Sequence, residues 1–407
     1  MAGLTAKIVG AVFIGLLYQY HYEGGDTSNY FYHSQVINSS FSESIVKWFN
    51  LVLRIPPWYD GDYSQYISKL WWYESPAEYA VASIAAFIGI FTFTTYLPIA
   101  VIFAAISFSG SWALFRTFAT KYPEYTRYIA WATLFIPSTI MWGSGIFKDT
   151  ICMFGLGWMT YGAFRMLINR DFSVRNIILT VISFILVAKI KIYILLAFVP
   201  AVALWILFTY SHRIASYGWR MFVKMFVILV CSGGFLYFSE KFAMELGRYS
   251  LENVAKTSYL TSSYIAGVSG DDGSGYSLGT IEPTMAGLIK KFPSAVNVTL
   301  FRPYLWETRK PIQFFNAIEA FLFLWVTIKV LVSIGLFKVW NTIKDDPTIQ
   351  FCLIFTIVFA FAVGVSSGNF GALSRYRIPC LPFYGLALLL IYYKHKDTNK
   401  NILSIKL

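Results

Sequence analysis

Residues 3–30 read GLTAKIVGAVFIGLLYQYHYEGGDTSNY, an apolar segment followed at once by a polar stretch. The apolar part, 3–20, is long enough to cross a bilayer, since a transmembrane helix needs about 20 mainly apolar residues. We predict that it is retained as the first span, and Lys7 near its start favours an inside N-terminus. The polar part contains Glu23, Asp26 and Tyr30. It opens the first outer loop, and we expect the later polar stretches to converge on Asp26.

The composition of the whole chain is that of a membrane protein. Of its 407 residues, 57% are hydrophobic and only 13% are charged, whereas a soluble protein has about 25% charged residues. The apolar runs do not alternate as those of a β-barrel would. We therefore predict an all-α, polytopic helical membrane protein, a single transmembrane domain over residues 1–407 with about ten transmembrane helices. The net charge of +12 is then explained by basic inner loops rather than by a nucleic-acid partner.

The basic loops decide which apolar segments cross. The loop 116–127 is basic and should lie inside, so the apolar segment 78–95 is predicted not to cross but to form a buried or re-entrant outer helix. Both termini then lie inside. The predicted spans are 3–20, 98–118, 128–141, 150–164, 176–188, 193–210, 221–238, 314–337, 349–365 and 381–393.

Two long outer loops connect these spans. The first, 21–97, contains the stretch 44–53, where Ile45, Trp48, Phe49 and Val52 fall on one helical face, as in a helix that lies in the membrane interface. The stretch 65–72 shows the same pattern more weakly. The second loop, 239–313, contains a Gly/Ser-rich segment, 267–279, that we predict to be flexible.

Charged residues near a membrane are costly, so they tend to be paired or functional. In the turn 138–149, STIMWGSGIFKD, Pro137 ends one helix early and two glycines permit a tight turn. Asp149 then falls in the first turn of the next helix, where the helix dipole favours an anion. Either Asp149 only caps that helix while Lys148 snorkels, or Asp149 orients a substrate or a metal ion while Lys148 binds phosphate.

Lys189 and Lys191 are predicted to lie at the outer tip of a hairpin between the spans 176–188 and 193–210. The two lysines either snorkel toward lipid headgroups or contact a lipid-linked phosphate. Tyr193 either packs on the lipid chain or belongs to the aromatic belt.

Two late stretches carry arginines. In FRPYLWE, 301–307, Arg302 either binds a ligand or pairs internally with Glu307, which would remove it from substrate binding. In NFGALSRYRIP, 369–379, Arg375 and Arg377 point the same way if the backbone is extended. Arginine forks match phosphate oxygens bidentately, so this pair would suit a pyrophosphate at headgroup depth or an ordinary anionic lipid.

Together these stretches resemble the GT-C superfamily of membrane glycosyltransferases, of the polyprenyl-phosphate-sugar-dependent kind found in bacterial polysaccharide assembly. The features that match are the early outer-loop acid Asp26 followed by interfacial helices, the Pro…Trp-x-Ser-Gly…Lys-Asp turn over 137–149, and the Asn-x-Gly…Arg-Tyr-Arg-x-Pro stretch over 369–379. The chain departs from that pattern with Asp149 where Glu is commoner and with Gly25-Asp26 in place of Asp-x-Asp. Both catalysis without a metal and catalysis with a divalent cation, Mg²⁺ or Mn²⁺, stay open.

The resemblance implies transfer of a sugar from a polyprenyl-phosphate-linked donor to a glycan, lipid or protein acceptor. It places the reaction at the outer face of the bacterial cytoplasmic membrane, in polysaccharide biosynthesis of the cell envelope. Asp26 would be the base and Asp149 would orient the acceptor or a metal. We expect residues 26, 149, 191, 375 and 377 to share one outer pocket. The predicted substrate-binding residues are Glu23, Tyr30, Lys148, Lys189, Lys191, Tyr193, Arg302, Glu307, Asn369, Arg375 and Arg377.

Two other classes of protein stay open. An O-antigen polymerase or ligase also uses outer arginines on a lipid pyrophosphate, but needs them in two large outer loops, and the loop 239–313 offers only Arg248, Arg302 and Arg309. A flippase for lipid-linked oligosaccharides, which is not an enzyme, would want charges inside the bundle and repeated halves. The sequence has no internal repeat, and the predicted charges collect at one face.

Overall fold

The computed structural model confirms the predicted all-α class. It describes residues 1–211, 216, 218–219, 221–223, 225–226, 229–230, 233, 275–279, 285–308 and 311–404. These residues fold into helices, and an isolated antiparallel bridge joins Gly275 to Asn369.

The helices of the N-terminal half are separated mostly by short turns. They are α1 (Ala2–Tyr20), α2 (Asp26–Ser39), α3 (Ile45–Leu53), α4 (Ser64–Ile67), α5 (Pro76–Phe91), α6 (Tyr96–Lys121), α7 (Thr126–Leu134), α8 (Pro137–Trp142), α9 (Lys148–Gly162) and α10 (Val174–Ser211). A π-helical stretch, Ala163–Ile168, extends α9.

The C-terminal half continues with α11 (Met285–Lys290), α12 (Phe292–Phe301), α13 (Pro311–Ile334), α14 (Leu336–Asp345), α15 (Pro347–Ser367), α16 (Phe370–Tyr376) and α17 (Leu381–Ser404). The predicted span 221–238 and the loop 239–313 with its segment 267–279 lie partly or largely outside the described residues.

Six of the described helices are long and apolar enough to cross a membrane, and a seventh candidate forms if Phe370–Tyr376 and Leu381–Lys396, bent by 67°, count as one broken span. The six are Ala2–Tyr20, Tyr96–Lys121, Lys148–Ile168, Val174–Ser211, Pro311–Ile334 and Pro347–Ser367. These helices support an integral membrane protein with transmembrane helices. The count of about ten stays a prediction.

Three of the predicted spans are arranged differently in the structure, and a further segment, 78–95, is the one predicted not to cross the membrane. The segment 128–141 is divided between α7 and α8, because Pro137 disfavours helical geometry at the residue before it and starts a new helix instead. The segments 176–188 and 193–210 both fall in α10, which leaves helical geometry at Lys191. In the segment 78–95, residues 78–91 belong to the 16-residue helix α5 (Pro76–Phe91), which is shorter than the candidate spans.

The described residues divide into two compact units. The first comprises Met1–Thr117, Thr139–Met166 and Asp171–Ile192, and the second comprises Phe118–Ser138, Leu167–Arg170 and Tyr193–Leu407.

Close backbone contacts between small residues hold the first unit together. A Cβ added to Gly157 of α9 would stand 1.9 Å from the carbonyl oxygen of Gly110 in α6. Further along α9, a Cβ on Gly155 or Gly162 would meet Val187 or Thr180 of α10. Glycine at such crossings lets helix backbones approach closely, as is common between transmembrane helices.

The contacts also fix the directions of these helices. α1 is antiparallel to α6, because Gly15 lies beside Tyr96 and Lys7 reaches Ser107. α9 runs parallel to α6, since Arg116 lies over the ring of Tyr161 beyond the glycine contact. The C-terminus of α1 and the N-termini of α6 and α9 therefore share one end of the first unit, which we call the Asp149 end.

Lys7 is buried inside the first unit. Its side chain is only 2% exposed. The ammonium donates to Ser107 Oγ at 3.0 Å and to the carbonyl oxygens of Thr139 and Gly143 at 2.8 Å. Those carbonyls lie in and just after α8, where a helix C-terminus favours a cation. Because its charge is held within the protein, Lys7 gives no support to the predicted inside N-terminus, which stays a prediction.

An aromatic core holds the second unit together. The rings of Trp205 in α10 and Phe351 in α15 stack at 4.5 Å, and Phe355 meets Phe383 of α17 at 4.8 Å. α12 also packs closely on α15, since a Cβ on Gly364 would stand 2.2 Å from the carbonyl oxygen of Ala295.

We expect Gly157→Ala to destabilise the protein, although alanine is ordinarily the better helix residue. The new methyl group has no space beside the Gly110 carbonyl, and overpacking of this kind costs about 1–3 kcal/mol. Thermal unfolding of the detergent-purified protein measures the effect. Gly61→Ala is the matched control, since a Cβ there meets nothing within 4 Å. Equal unfolding temperatures for the two variants would contradict the prediction.

Candidate functional site

Two charged residues pair in the interior at the Asp149 end. Asp149 lies in the first turn of α9, as predicted, and is 1% exposed. The ammonium of Lys191 donates to Asp149 Oδ1, and Lys191 is itself 6% exposed. At Lys191 the backbone leaves helical geometry, with φ −146° and ψ 73°. The structure therefore brings together two of the predicted site residues as an ion pair.

A second ion pair lies at the start of the same helix. The ammonium of Lys148 is 2.6 Å from Oε1 of Glu78, which lies in the first turn of α5. Both side chains are partly exposed, 22% and 29% respectively. A ligand can therefore reach Lys148 more readily than Lys191.

Asp26 lies at the same end of the first unit. It occupies the first turn of α2, directly after Gly25, and is half-buried. Gly25 has φ +120° and lies against the ring of Tyr18. That ring is in turn 5.5 Å from the ring of Phe147, the residue before Lys148. A chain of contacts thus connects the start of α2 to the start of α9.

The helix α5 brings a third N-terminus to this end. It runs parallel to α2, because Tyr30 packs on Trp72 at one end while Asn38 lies beside Gly89 at the other. Three helices, α2, α5 and α9, therefore begin here with an acid in the first turn. Helix N-termini favour anions, so this end of the unit suits carboxylates or a phosphate.

The other predicted residues of this region take different positions. Tyr30 is buried against Trp72 and belongs to the packing of α2. Glu23 is exposed in the turn before α2, with φ 50°. Lys189 is also exposed, so the structure separates it from the buried Lys191. Tyr193 belongs to the second unit, where its ring stacks on Phe359 at 6.0 Å.

His33 is a buried polar residue of α2 to which the sequence assigned no role. It lies seven residues after Asp26, and its ring meets Trp71 at 4.4 Å and Trp72 at 5.1 Å. Within the described part of the chain, neither ring nitrogen has a hydrogen-bond partner. Burial lowers the pKa of His33 from 6.5 to about 4. The sequence signal was the seven-residue spacing, which places His33 on the same face of α2 as Asp26.

In the second unit, Arg302 and Glu307 form the internal pair that the sequence left open. The Nε of Arg302 is 3.0 Å from Glu307 Oε2, and a second nitrogen donates to Oε1. The guanidinium also lies near the rings of Tyr276, Tyr304 and Phe370, at 5.9, 5.8 and 5.3 Å. Burial raises the pKa of Glu307, but the bonds from Arg302 and from the Tyr304 N–H outweigh it and hold that pKa below its usual value. This pairing argues against a substrate role for Arg302.

The backbone around Arg375 and Arg377 is helical, so the condition under which the two side chains would point the same way, an extended backbone, is not met. Asn369 caps α16 by accepting from the N–H groups of Gly371 and Ala372, a signal that favours helix over strand. Arg375 and Arg377 therefore point in different directions. Arg375 is half-buried, whereas Arg377 is 1% exposed.

Arg377 is committed to protein acceptors. It donates to Glu319 Oε1 at 3.2 Å and to the carbonyl oxygens of Arg302 and Asn316 at 3.0 and 3.3 Å. The other oxygen of Glu319 accepts from the Ser138 N–H at 2.7 Å. Sequence reasoning missed Glu319, which lies in the candidate span α13 and is 5% exposed. Its isolated charge in an apolar segment was the available signal.

The predicted pocket of five residues is split between the units. Asp26, Asp149 and Lys191 belong to the first, and Arg375 and Arg377 belong to the second. Their convergence stays a prediction. Among the described residues no group of three or more His, Cys, Asp or Glu side chains could hold a metal ion, and both a metal-free and a metal-dependent reaction stay open. No family model, curated protein or solved structure matches the chain.

Replacement of one partner of the Asp149–Lys191 pair should destabilise the protein strongly. Asp149→Asn or Lys191→Met leaves the other charge buried, which costs about 3–5 kcal/mol, whereas the double variant removes both charges and should recover part of the loss. Thermal unfolding of the four proteins gives the coupling energy. The exposed pair Glu43–Lys47 is the control, with an expected coupling of about 0–1 kcal/mol. Equal coupling in the two pairs would contradict the buried pairing.

His33 should make stability depend on pH. The folded protein keeps His33 neutral down to about pH 4, whereas the unfolded chain takes up a proton below about 6.5. Stability is therefore lost as the pH falls through this window, by at most about 1.4 kcal/mol per pH unit. We expect His33→Phe to reduce the drop in unfolding temperature between pH 7 and pH 5. The exposed His21 supplies the control, His21→Phe, which should follow the wild type. The assignment of His33 is wrong if both variants keep the full drop.

Proposed function

We propose that the chain is a glycosyltransferase of the GT-C type, with about ten spans, that moves a sugar from a lipid-phosphate-linked donor to an acceptor hydroxyl. The observation that carries the proposal is the Asp149 end of the first unit. There Asp26, Glu78 and Asp149 lie in the first turns of three helices, and the ammonium groups of Lys148 and Lys191 pair with Glu78 and Asp149. Carboxylates and cations are the two kinds of group that transfer from a sugar phosphate requires.

Asp26 is the proposed base. It is half-buried in the first turn of α2, directly after the turn that follows α1. It would take the proton of the acceptor hydroxyl while that oxygen attacks the anomeric carbon. The bond from that carbon to the phosphate oxygen breaks, and the lipid phosphate leaves with the electron pair. A well-placed base contributes about 10²–10⁴-fold to such a step.

Asp149 and Lys191 differ from Asp26 because they are buried and paired with each other. In this arrangement Asp149 fixes the position of the Lys191 ammonium, and we assign the pair to holding the start of α9 in place beside the substrate. Lys148 is more exposed and shares its charge with Glu78. We assign Lys148 to direct contact with the donor phosphate, since charge-assisted bonds to a leaving phosphate stabilise the transition state.

The arginines of the second unit enter the proposal unequally. Within the second unit we assign Arg375 to anion binding, because its side chain is half-buried and therefore partly accessible. Arg377 and Arg302 are engaged by Glu319 and Glu307, so we assign them to positioning the segment that carries Arg375. Asn369 does the same by capping α16.

A transporter for lipid-linked oligosaccharides is the second candidate, and one observation favours it. Lys7 and Glu319 lie buried inside candidate spans, although the sequence placed the charges at one face. Charged residues within spans often mark transport pathways. Both are engaged by protein groups, Lys7 by two carbonyls and a hydroxyl and Glu319 by Arg377 and a backbone N–H. That engagement makes the enzyme the better-supported proposal.

The test is transfer by the purified protein in lipid nanodiscs. A set of radiolabelled polyprenyl-phosphate sugars is supplied with lipid-linked and soluble glycan acceptors, and release of polyprenyl phosphate is measured. We expect Asp26→Asn to lower the rate by at least about 100-fold with the unfolding temperature unchanged. Asp62→Asn, an exposed acid of the same loop, should keep the wild-type rate.

Full activity in Asp26→Asn would refute the role of Asp26. Movement of the labelled lipid across the bilayer without any release of polyprenyl phosphate would support the transporter instead.

A further inference from the structure

A large apolar cavity lies in the second unit, and Glu319, the partner of Arg377, is the lining residue that it shares with the proposed function. Its volume is about 570 Å³, within the range of about 300–1,000 Å³ typical of ligand pockets. Three helices form it, α7, α13 and α17, and its lining is almost entirely aliphatic and aromatic. Trp131, Leu322 and Trp325 line it and are each at least half exposed. The cavity is therefore open to the surroundings of the unit, which for a transmembrane helix are lipid.

At its deep end the cavity offers, among the described residues, no carboxylate oxygen that lacks a hydrogen-bond donor. Glu319 reaches it there, but its two oxygens accept from Arg377 and from the Ser138 N–H. A polar ligand would gain little at this end because the carboxylate is already satisfied. An apolar chain fits beside it.

The other end has the character of a membrane interface. Lys329 lines it, with its ammonium over the rings of Trp325 at 4.9 Å and Tyr392 at 5.9 Å. Tyr128 and Tyr393 stack at 4.0 Å at the same end. Aromatic residues and lysines gather where the hydrocarbon meets the headgroups. The ion pairs found among the described residues do not include Lys329.

The length of the cavity fits one lipid chain. Its lining residues on α13 run from Glu319 to Val330, which spans about 16 Å at 1.5 Å per residue. This is roughly half of the hydrocarbon core of about 30 Å, that is, the depth of one leaflet. A cation stands at the interfacial end and an apolar wall covers the rest, so the shape and charge match an acyl chain that ends in an anionic headgroup.

We infer that this cavity binds an anionic phospholipid of the surrounding bilayer, with one acyl chain between α7, α13 and α17 and its phosphate at Lys329. Lys329 has no role in the proposed sugar transfer. Variants of Lys329 therefore test lipid binding, whereas variants of Asp26 test the transfer reaction.

Native mass spectrometry of the full-length, delipidated protein in detergent tests the inference. Dioleoyl phosphatidylglycerol and dioleoyl phosphatidylcholine are added in separate arms, and bound lipids are counted. Val326→Trp fills the cavity from α13. The matched control is Val332→Trp, because Val332 lies on the same helix outside the cavity and is 78% exposed. We expect one phosphatidylglycerol to be lost from the first variant and kept in the second. Leu389→Trp on α17 repeats the test if Val326→Trp unfolds.

The charge is tested with Lys329→Gln against Lys338→Gln, an exposed lysine of α14 outside the cavity. The first variant should lose about fivefold in its preference for phosphatidylglycerol over phosphatidylcholine, the effect of one lysine near a membrane surface. The second should lose none.

Three results would overturn the inference. Equal lipid counts in Val326→Trp and Val332→Trp would mean that the cavity holds no lipid. Displacement of phosphatidylglycerol by an equimolar polyprenyl phosphate would assign the cavity to an isoprenoid chain. A change of oligomeric mass in Val326→Trp, without a change in bound lipid, would assign it to contact with a second copy of the chain.

Discussion

A charge surrounded by apolar side chains has no water to stabilise it, so its counter-group must come from the protein itself. This constraint sets the structure of both units. In the first, Asp149 meets Lys191 and Lys7 meets two carbonyls and a hydroxyl. In the second, Glu319 meets Arg377. Each contact joins segments that are distant in sequence. The buried charges therefore meet their partners only when the helices are packed in this arrangement.

Features that depend on neighbouring residues could be predicted from the sequence. The first span, predicted over 3–20, is α1 (Ala2–Tyr20), and the segment 349–365 is α15 (Pro347–Ser367). Asp149 falls in the first turn of its helix as expected, since a turn and a helix start are local events. The helix at 44–53 also forms, as α3 (Ile45–Leu53), because its apolar face has a helical period. Hydrophobic length and periodicity carry this information without knowledge of the partners.

The choice of partner could not be predicted, because it is decided by contacts between distant segments. Lys7 has the sequence context of a charge near the inner end of a span, and only the approach of α6 and α8 makes it a buried donor. Arg377 has the sequence context of a phosphate ligand. Its guanidinium instead pairs with the carboxylate of Glu319, which lies 58 residues away in sequence. The helix α16 is the exception, since the capping side chain of Asn369 was a local signal for it.

The glycine contact between α6 and α9 has a geometric consequence for the carboxylate at the head of α9. Gly110 and Gly157 touch through main-chain atoms, so no side-chain rotamer can absorb a sliding movement there. A shift of α9 by one residue would drive a neighbouring Cβ into a peptide carbonyl. Asp149 lies eight residues before Gly157, about 12 Å along the same rigid rod. The close contact between Gly157 and Gly110 thus sets the position of the Asp149 carboxylate along the axis of α6.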